Sequence, residues 1–136
     1  MHFVVTMRLP ADAANLASTR RAVAGCLDAF GASRETQDDV ILALNEACAN
    51  VVLHAFPSDR PGTIQIETEV DDHAVSVKVE DDGVGFDPSV LDDGAERTSG
   101  RGLHMIRQLM TSLEVESPVS GGGTRVTMRK CNGAAG

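Results

Sequence analysis

The segment from Val40 to Phe56, VILALNEACANVVLHAF, combines an apolar helical pattern with a second, polar face. Glu46, Asn50 and His54 each lie four residues from the next, so they share one side of the predicted helix. Small and apolar neighbours flank that side, which we therefore expect to be half-buried. Burying a carboxylate without a partner costs several kcal/mol. Either these side chains are solvated in the ordinary way, or something polar lies against them. The apolar stripe of the helix consists of Val40, Leu44, Ala47, Val51 and Ala55.

The composition narrows the range of partners. A chain of 136 residues with 42% hydrophobic residues is typical of one globular domain with a real core. It has four Phe and no Trp or Tyr, so base stacking has little to work with. The formal charge of −8 also argues against a polyanion held by counterion release. We therefore expect no direct nucleic-acid partner. A small anion could still bind at a helix N-terminus, a metal ion or an arginine.

Three cysteines, Cys26, Cys48 and Cys131, show neither metal-ligand spacing nor an even count. The first two fall in predicted helices, where packing as small apolar groups is their expected role. Without a disulfide framework a reducing cytoplasm is the default compartment. The N-terminal MHFVVTMRLP is too short for a signal peptide, and no apolar run reaches membrane-spanning length. We expect a cytoplasmic protein without a membrane contact.

The N-terminal part of the chain predicts a strand and a helix ahead of the Val40–Phe56 segment. Phe3–Leu9 is rich in β-branched residues and predicts the strand, and Ala11–Phe30 carries a helical apolar stripe. Arg20 falls on the edge of that stripe, where we favour a packed stem with a solvated head. Ser33 or Thr36 can cap the next helix.

A predicted hairpin ends in an unusual carboxylate. Thr63–Val70 and Ala74–Glu80 alternate apolar and polar residues, so they predict two strands with one buried face. Asp81 continues the inward series of the second strand, and Gly83 and Gly85 follow directly. A polar Asp-Gly turn is one interpretation. A ligand that offers the carboxylate a hydrogen-bond donor is the other, since the glycines let backbone approach it closely.

A glycine-rich turn precedes the last predicted helix. Pro88–Thr98 is polar and irregular, and predicts a mobile loop; the turn SGRG at residues 99–102 follows, and helical spacing begins at Leu103. Free backbone N–H groups at such a helix start suit a phosphate, and Arg101 adds a cation. Leu113–Val119 and Thr124–Arg129 predict the last two strands. Residues 1–131 are thus expected to form a single domain, and 132–136 a disordered tail.

Four motifs occur in a specific order along nearly the whole chain. They are E-x-x-x-N (Glu46, Asn50), D-x-G-x-G (Asp81, Gly83, Gly85), G-x-G-L (Gly100, Gly102, Leu103) and G-T (Gly123, Thr124). This order resembles the N, G1, G2 and G3 boxes of the histidine-kinase-like (GHKL) ATPase superfamily. Within it the chain is similar to the stand-alone anti-sigma factor serine kinases. Its segment SGRGLHMIRQLM also resembles the corresponding helix of those kinases.

The resemblance implies a fold and a function. The fold would be α+β, a two-layer α/β sandwich of the Bergerat type, with helices on one face of a mixed, largely antiparallel sheet. The function would be an ATP-dependent protein serine kinase that binds a sigma factor and phosphorylates a serine of an anti-sigma factor antagonist, as a homodimer. One alternative is a nucleotide-gated protein-binding regulator without kinase activity. A third, weaker interpretation is a detached catalytic domain that serves a separate phosphoacceptor-histidine protein.

The resemblance also implies residue roles. Asn50 would ligate Mg²⁺, Glu46 would be the general base or orient the attacking group, and Asp81 would accept from the adenine amino group of ATP. Arg20 would contact a protein partner, while His54 has at most a supporting role. The other implied ATP contacts are Gly83, Gly85, Gly100, Arg101, Gly102, Leu103 and Thr124, with residues 88–98 as a lid over the nucleotide.

Overall fold

The computed structural model describes residues 2–54, 62–82, 98–116 and 123–131, without the side chains of 51–54 and 98–103. The elements are β1 (Phe3–Pro10), a 3₁₀ turn (Ala13–Asn15), α1 (Leu16–Ala29), α2 (Arg34–His54), β2 (Thr63–Val70), β3 (Ala74–Asp81), α3 (Thr98–Leu109), β4 (Ser112–Glu116) and β5 (Arg125–Cys131). None of the helices in these described ranges is long and apolar enough to cross a membrane.

The five described strands form one sheet in the order β1-β2-β3-β5-β4. We expected a mixed, largely antiparallel sheet, and each of the four pairings between these strands is antiparallel. Between β1 and β2 the chain passes through α1 and α2, and β2 then pairs with β1 in the antiparallel direction. β3 and β4 point the same way, but β5 lies between them and is antiparallel to both. The predicted α+β class with helices on one sheet face is confirmed.

The core lies between the sheet and the three helices of the described ranges. Inward and outward residues alternate along each strand as predicted, because successive side chains in a strand point to opposite faces. Fully or nearly fully buried residues from the strands are Ile64, Ile66, Val75, Val77, Val79, Val126 and Met128. The helices contribute Val23 and Leu27 from α1, Val40 and Leu44 from α2, and Ile106 from α3. Truncating one such leucine to alanine typically costs about 2–5 kcal/mol.

The first helix begins later than the predicted Ala11–Phe30. The Asp12 carboxylate accepts from the backbone N–H of Ala14 at 3.0 Å, and its carbonyl accepts from Asn15 N–H at 2.9 Å. The Asn15 amide in turn donates to the Pro10 carbonyl at 3.0 Å. These short polar side chains satisfy backbone groups locally, so a 3₁₀ turn replaces the first helical turn.

The junction between α1 and α2 is closed by backbone hydrogen bonds. Gly31 has a φ of 77° and its N–H donates to Asp28 O, while the N–H of Ala32 donates to Leu27 O, each at 3.0 Å. This pair of bonds is a Schellman motif, which favours glycine at the left-handed position. Of the two predicted caps for α2, Ser33 is the one used, since its Oγ accepts from Thr36 N–H at 3.1 Å.

The predicted hairpin closely matches the structure, and the other boundaries differ. β2 has its predicted bounds, and β3 continues one residue further, to Asp81. β4 begins at Ser112 rather than Leu113, and β5 runs from Arg125 to Cys131 rather than from Thr124 to Arg129. The predictions for Gly83 and Gly85, for most of the 88–98 loop and for the 132–136 tail lie outside the described residues.

Candidate nucleotide site

Asp81 is the last residue of β3, and its side chain is buried, with 6% exposure. It lies opposite Ile64 of β2, and its backbone N–H donates to the Thr124 carbonyl at 3.0 Å. The inward position predicted from strand parity is therefore confirmed. A buried carboxylate needs compensating hydrogen bonds or charges, so this is a position from which a ligand donor can be recognised. Its role toward adenine stays a prediction.

Gly123 and Thr124 form the wall beside Asp81. Gly123 has a φ of 88°, and a Cβ built on it would overlap the carbonyl oxygen of Asp81. Thr124 is fully buried. Only a glycine allows the two backbones to approach this closely. The structure thus brings together two predicted site residues, Asp81 and Thr124, that are 43 positions apart in the sequence numbering.

The long helix α2 carries the other predicted polar residues. It packs on β3 and β5, and α1 and α3 both pack against it. Asn50 is buried with 4% exposure, and among the described residues its Nδ2 has no hydrogen-bond partner. Glu46, one turn earlier, is half-buried. The predicted half-burial of this polar face is confirmed for Glu46, and Asn50 is buried more completely than predicted. The side chain of His54 is not among the described ones.

The buried Asn50 amide suits a polar ligand. An orphaned amide group in a native interior calls for an explanation, and a bound ion or polar molecule is one. Rotating the amide by 180° exchanges its oxygen and nitrogen, so the same position can present an oxygen to a cation. Mg²⁺ prefers oxygen ligands and takes few of them from the protein when phosphates supply the rest. In the described ranges, no group of three or more His, Cys, Asp or Glu side chains could hold a metal ion by itself.

The start of α3 differs from the prediction. We expected the glycine-rich turn to precede the helix, whereas α3 begins at Thr98 and includes Gly100, Arg101 and Gly102 in its first turns. The first N–H groups of a helix have no intrahelical acceptor, so a helix start with glycines still exposes backbone donors. The side chains of residues 98–103 in α3 are not described, so the roles of Arg101 and Leu103 stay predictions.

One polar contact escaped the sequence analysis. Arg20 Nη1 of α1 donates to Asn45 Oδ1 of α2 at 2.6 Å, so the guanidinium is held rather than simply solvated. The snorkelling interpretation was therefore incomplete. Both residues line a groove between the two helices, together with Ala24, Arg34, Gln37, Asp38, Ile41 and Leu42. The only sign of the Arg20–Asn45 contact in the sequence was the charge of Arg20 on the edge of an apolar stripe, because Asn45 is remote in sequence.

The arrangement defines a class of protein. A central helix carries a buried amide, and the end of a strand carries a buried carboxylate. The helices cover one face of an antiparallel sheet. Together these features form the frame of a histidine kinase-like ATPase. The family described as "Histidine kinase-like ATPase domain" matches residues 9–130, and the chain belongs to that family. The resemblance stated from the four motifs is thereby confirmed.

Two curated relatives narrow the class. The chain is 31% identical over 126 residues to "Serine-protein kinase RsbW" of Listeria innocua, which covers 85% of this chain and 80% of the relative. It is 29% identical over 123 residues to "Anti-sigma F factor" of Clostridium beijerinckii, which covers 85% of each chain. The predicted class of function, a serine-protein kinase and anti-sigma factor, is the one these relatives are named for.

Solved structures support the fold. The structure of the RsbU and RsbW domains of Rv1364c from Mycobacterium tuberculosis matches with a TM-score of 0.72 and 21% identity, over 94% of this chain and 32% of that chain. The SiaB–SiaC complex from Pseudomonas aeruginosa matches with a TM-score of 0.59 and 14% identity, over 93% of this chain and 88% of that one. At these identities the likeness concerns the fold alone.

Proposed function

We propose that this chain is an ATP-dependent protein serine kinase that acts as an anti-sigma factor and phosphorylates a serine of an antagonist protein. The observation that carries the proposal is the buried carboxylate of Asp81 against the Gly123–Thr124 backbone, in a chain of the histidine kinase-like ATPase family. The names of the curated relatives support the protein-kinase and anti-sigma parts.

ATP binding is assigned to three parts of the chain. Asp81 accepts from the adenine amino group, which favours ATP over GTP because guanine presents a carbonyl at the corresponding position. Gly83, Gly85 and Thr124 are proposed to contact the adenine, as the family motifs imply. The α3 start holds the phosphates through backbone N–H groups, and the positive end of the helix dipole favours their charge. The phosphate contacts are Gly100, Arg101, Gly102 and Leu103.

Phosphoryl transfer then needs positioning and charge stabilisation more than covalent chemistry on the protein. Asn50 would hold Mg²⁺, which neutralises phosphate charge when bound. Glu46, one turn away on α2, takes the proton of the attacking serine hydroxyl. The serine Oγ forms a bond to the γ-phosphorus as the bond to the β–γ bridging oxygen breaks, and ADP leaves. The carboxylate is half-buried, so it keeps access to a protein substrate.

The protein partners are a sigma factor and its antagonist, with the Arg20 groove as the proposed contact surface. Arg20 is aimed by its bond to Asn45, and Arg34 lines the same groove with 85% side-chain exposure. Asp38 lines the same groove and lies 3.7 Å from Arg34, so the charged lining of Arg20, Arg34 and Asp38 keeps one net positive charge. In a chain of net charge −8, this charge beside the exposed Leu42 suits a partner segment that is both acidic and apolar. We further propose a homodimer that works in the cytoplasm without a direct nucleic-acid or membrane contact.

The alternative is a nucleotide-gated regulator that holds its partner without phosphorylating it. Glu46 distinguishes the two functions, because a pure binding module does not need a carboxylate beside the phosphates. The alternative predicts ATP-dependent capture of the partner with no labelled product. A detached domain serving a phosphoacceptor histidine predicts a label that is lost in acid, whereas phosphoserine survives acid treatment.

Calorimetric titration tests the nucleotide site directly. Wild-type protein with Mg²⁺ is expected to bind ATP and not GTP, and Asp81→Asn is expected to bind ATP much more weakly, because the ionised acceptor and its charge-assisted hydrogen bond to the adenine amino group are lost. Asp82→Asn is the matched control, since Asp82 is exposed and an amide oxygen can still accept from Thr63 N–H, as Asp82 Oδ1 does at 2.9 Å. A folded wild-type protein that binds no ATP would contradict both the kinase and the nucleotide-gated function.

A further inference from the structure

Lys130 of β5 joins the two helices of the nucleotide site at the ends opposite that site. Its Nζ donates to the carbonyl of Leu109, the last residue of α3, at 2.8 Å. The same ammonium pairs with the Asp39 carboxylate, near the start of α2, at 2.9 Å. One charged group therefore holds a strand, a helix C-terminus and a second helix together.

The ion pair is better shielded than the other lysine pair of the described chain. The side chains of Lys130 and Asp39 are 22% and 21% exposed, whereas those of Lys78 and Glu67 are 41% and 37% exposed and 3.6 Å apart. Exposed pairs are strongly screened by water and salt. The Leu109 carbonyl that Lys130 contacts lies at the C-terminus of α3, where a positive charge is favoured by the helix dipole.

The contact shows how α2 and α3 lie relative to each other. Since the start of α2 and the end of α3 meet at Lys130, the two packed helices run in opposite directions, and the start of α3 lies toward the later part of α2. That later part carries Glu46 and Asn50, and Asn50 is roughly 16 Å along the helix from Asp39 at 1.5 Å per residue. The proposed phosphate contacts lie at the start of α3.

We propose that Lys130 is a positioning residue for the phosphate end of the nucleotide site. Helices are stiff on this length scale, so a shift of the α3 C-terminus carries to its N-terminus. Without the Lys130 contact, the backbone donors of α3 would lose their alignment with the metal side of α2. The inference rests on the proposed function, because it concerns the phosphates that α3 is proposed to bind.

The adenine end should be unaffected, and this separates positioning from a general structural role. Asp81 and Thr124 belong to the sheet side of the site, where the backbone bond between them holds them in place. Loss of Lys130 should therefore weaken the binding of ADP and ATP and leave the affinity for adenosine unchanged. A loss of about tenfold is expected for ADP, since displacements near 1 Å in a positioned site have effects of this order or larger.

The experiment compares five proteins by calorimetric titration with ADP, ATP and adenosine. Lys130→Met keeps an apolar stem without the charge, Asp39→Asn removes the other charge, and Lys130→Arg restores a cation with donors. Lys78→Met removes a lysine of similar pairing from the outer sheet face and is the control, beside wild type. We expect the first two variants to lose ADP affinity, and Lys130→Arg and Lys78→Met to retain it.

The outcomes separate the inference from the proposed function. If the wild type and Lys130→Met bind ADP with the same affinity, the inference about Lys130 is overturned and the proposed function is unaffected. An equal loss of ADP and adenosine affinity in Lys130→Met also overturns it, because the lysine would then serve only the general fold. Wild type that binds no nucleotide contradicts the proposed function and this inference with it. A loss confined to phosphorylated ligands, with rescue by arginine, supports positioning.

Discussion

The carbonyl oxygen of Asp81 occupies the space into which a side chain on Gly123 would have to project. The close approach, together with a Gly123 φ of 88°, fixes the backbone beside the buried carboxylate. We expect Gly123→Ala to lower the free energy of unfolding by about 1–3 kcal/mol, since a left-handed backbone and a backbone overlap must both be accommodated. Urea denaturation of the variant and the wild type measures this difference.

Gly25→Ala is the matched control for Gly123→Ala. Gly25 lies in α1, and a Cβ there would meet nothing within 4 Å. Because alanine favours a helix interior over glycine, the control should be stabilised by about 0.5–1 kcal/mol. Equal effects of the two substitutions would show that Gly123 has no special requirement for glycine.

Burial of Cys48 makes the stability of the protein depend on pH in the alkaline range. Desolvation raises the pKa of this thiol from 9.0 to about 12. Above pH 9 the unfolded chain releases the proton while the folded chain keeps it, so folding stability falls as the pH rises from 9 toward 12. The slope of this contribution approaches about 1.4 kcal/mol per pH unit.

Urea titrations at pH 8, 9, 10 and 11 isolate the contribution of Cys48. Cys48→Ala is expected to be less stable at pH 8 because of the cavity, and to lose less stability than the wild type as the pH rises. Cys131→Ala, at an exposed position, serves as the control. Parallel pH profiles for wild type and Cys48→Ala would contradict the shifted thiol.

The sequence predicted best those elements whose pattern is local. The hairpin was found almost to the residue because alternation in Thr63–Val70 and Ala74–Asp81 follows directly from one buried face. The same parity predicted the burial of Asp81 before its partners were known. The start of α3 was misjudged because glycines have low helix propensity, which a helix N-terminus nevertheless tolerates.

Contacts between distant residues were beyond sequence analysis. Two contacts, Arg20–Asn45 and Lys130–Asp39, each join two elements. Their residues are of types that are common at protein surfaces, and their spacing in the sequence does not indicate that they meet. The motif order revealed the family without them. What the sequence could not predict was the geometry between elements, because the packing of helices on a sheet decides which polar ends meet.

Asn50 offers a test of the metal side of the site. Its Nδ2 is buried without a hydrogen-bond partner among the described residues, so Asn50→Ala breaks no hydrogen bond donated by that nitrogen and should change stability little. ATP affinity with Mg²⁺ is expected to fall by about tenfold to a hundredfold, as for the loss of groups that support a metal. Calorimetry in the presence of a chelator should show a much smaller difference between variant and wild type.

Asn45→Ala is the control for Asn50→Ala on the same helix. Asn45 bonds Arg20 in the groove between α1 and α2, away from the proposed nucleotide, so its loss should leave ATP affinity unchanged. An Asn50→Ala variant that binds ATP equally well with and without Mg²⁺, and as tightly as wild type, would remove Asn50 from the metal site.

Glu46 separates a kinase from a binding module. If it takes the proton of the attacking serine, Glu46→Ala should bind ATP with nearly unchanged affinity and transfer phosphate about 10²–10⁴ times more slowly. The measurement uses γ-labelled ATP and a candidate antagonist protein under single-turnover conditions, with acid treatment to identify phosphoserine.

Glu35→Ala is the control for Glu46→Ala. Glu35 is an exposed carboxylate in the first turn of the same helix, so the variant should transfer phosphate at the wild-type rate. Equal rates from Glu46→Ala and wild type would exclude Glu46 from the chemical step. A wild type that captures the antagonist with ATP and never labels it would favour the nucleotide-gated regulator.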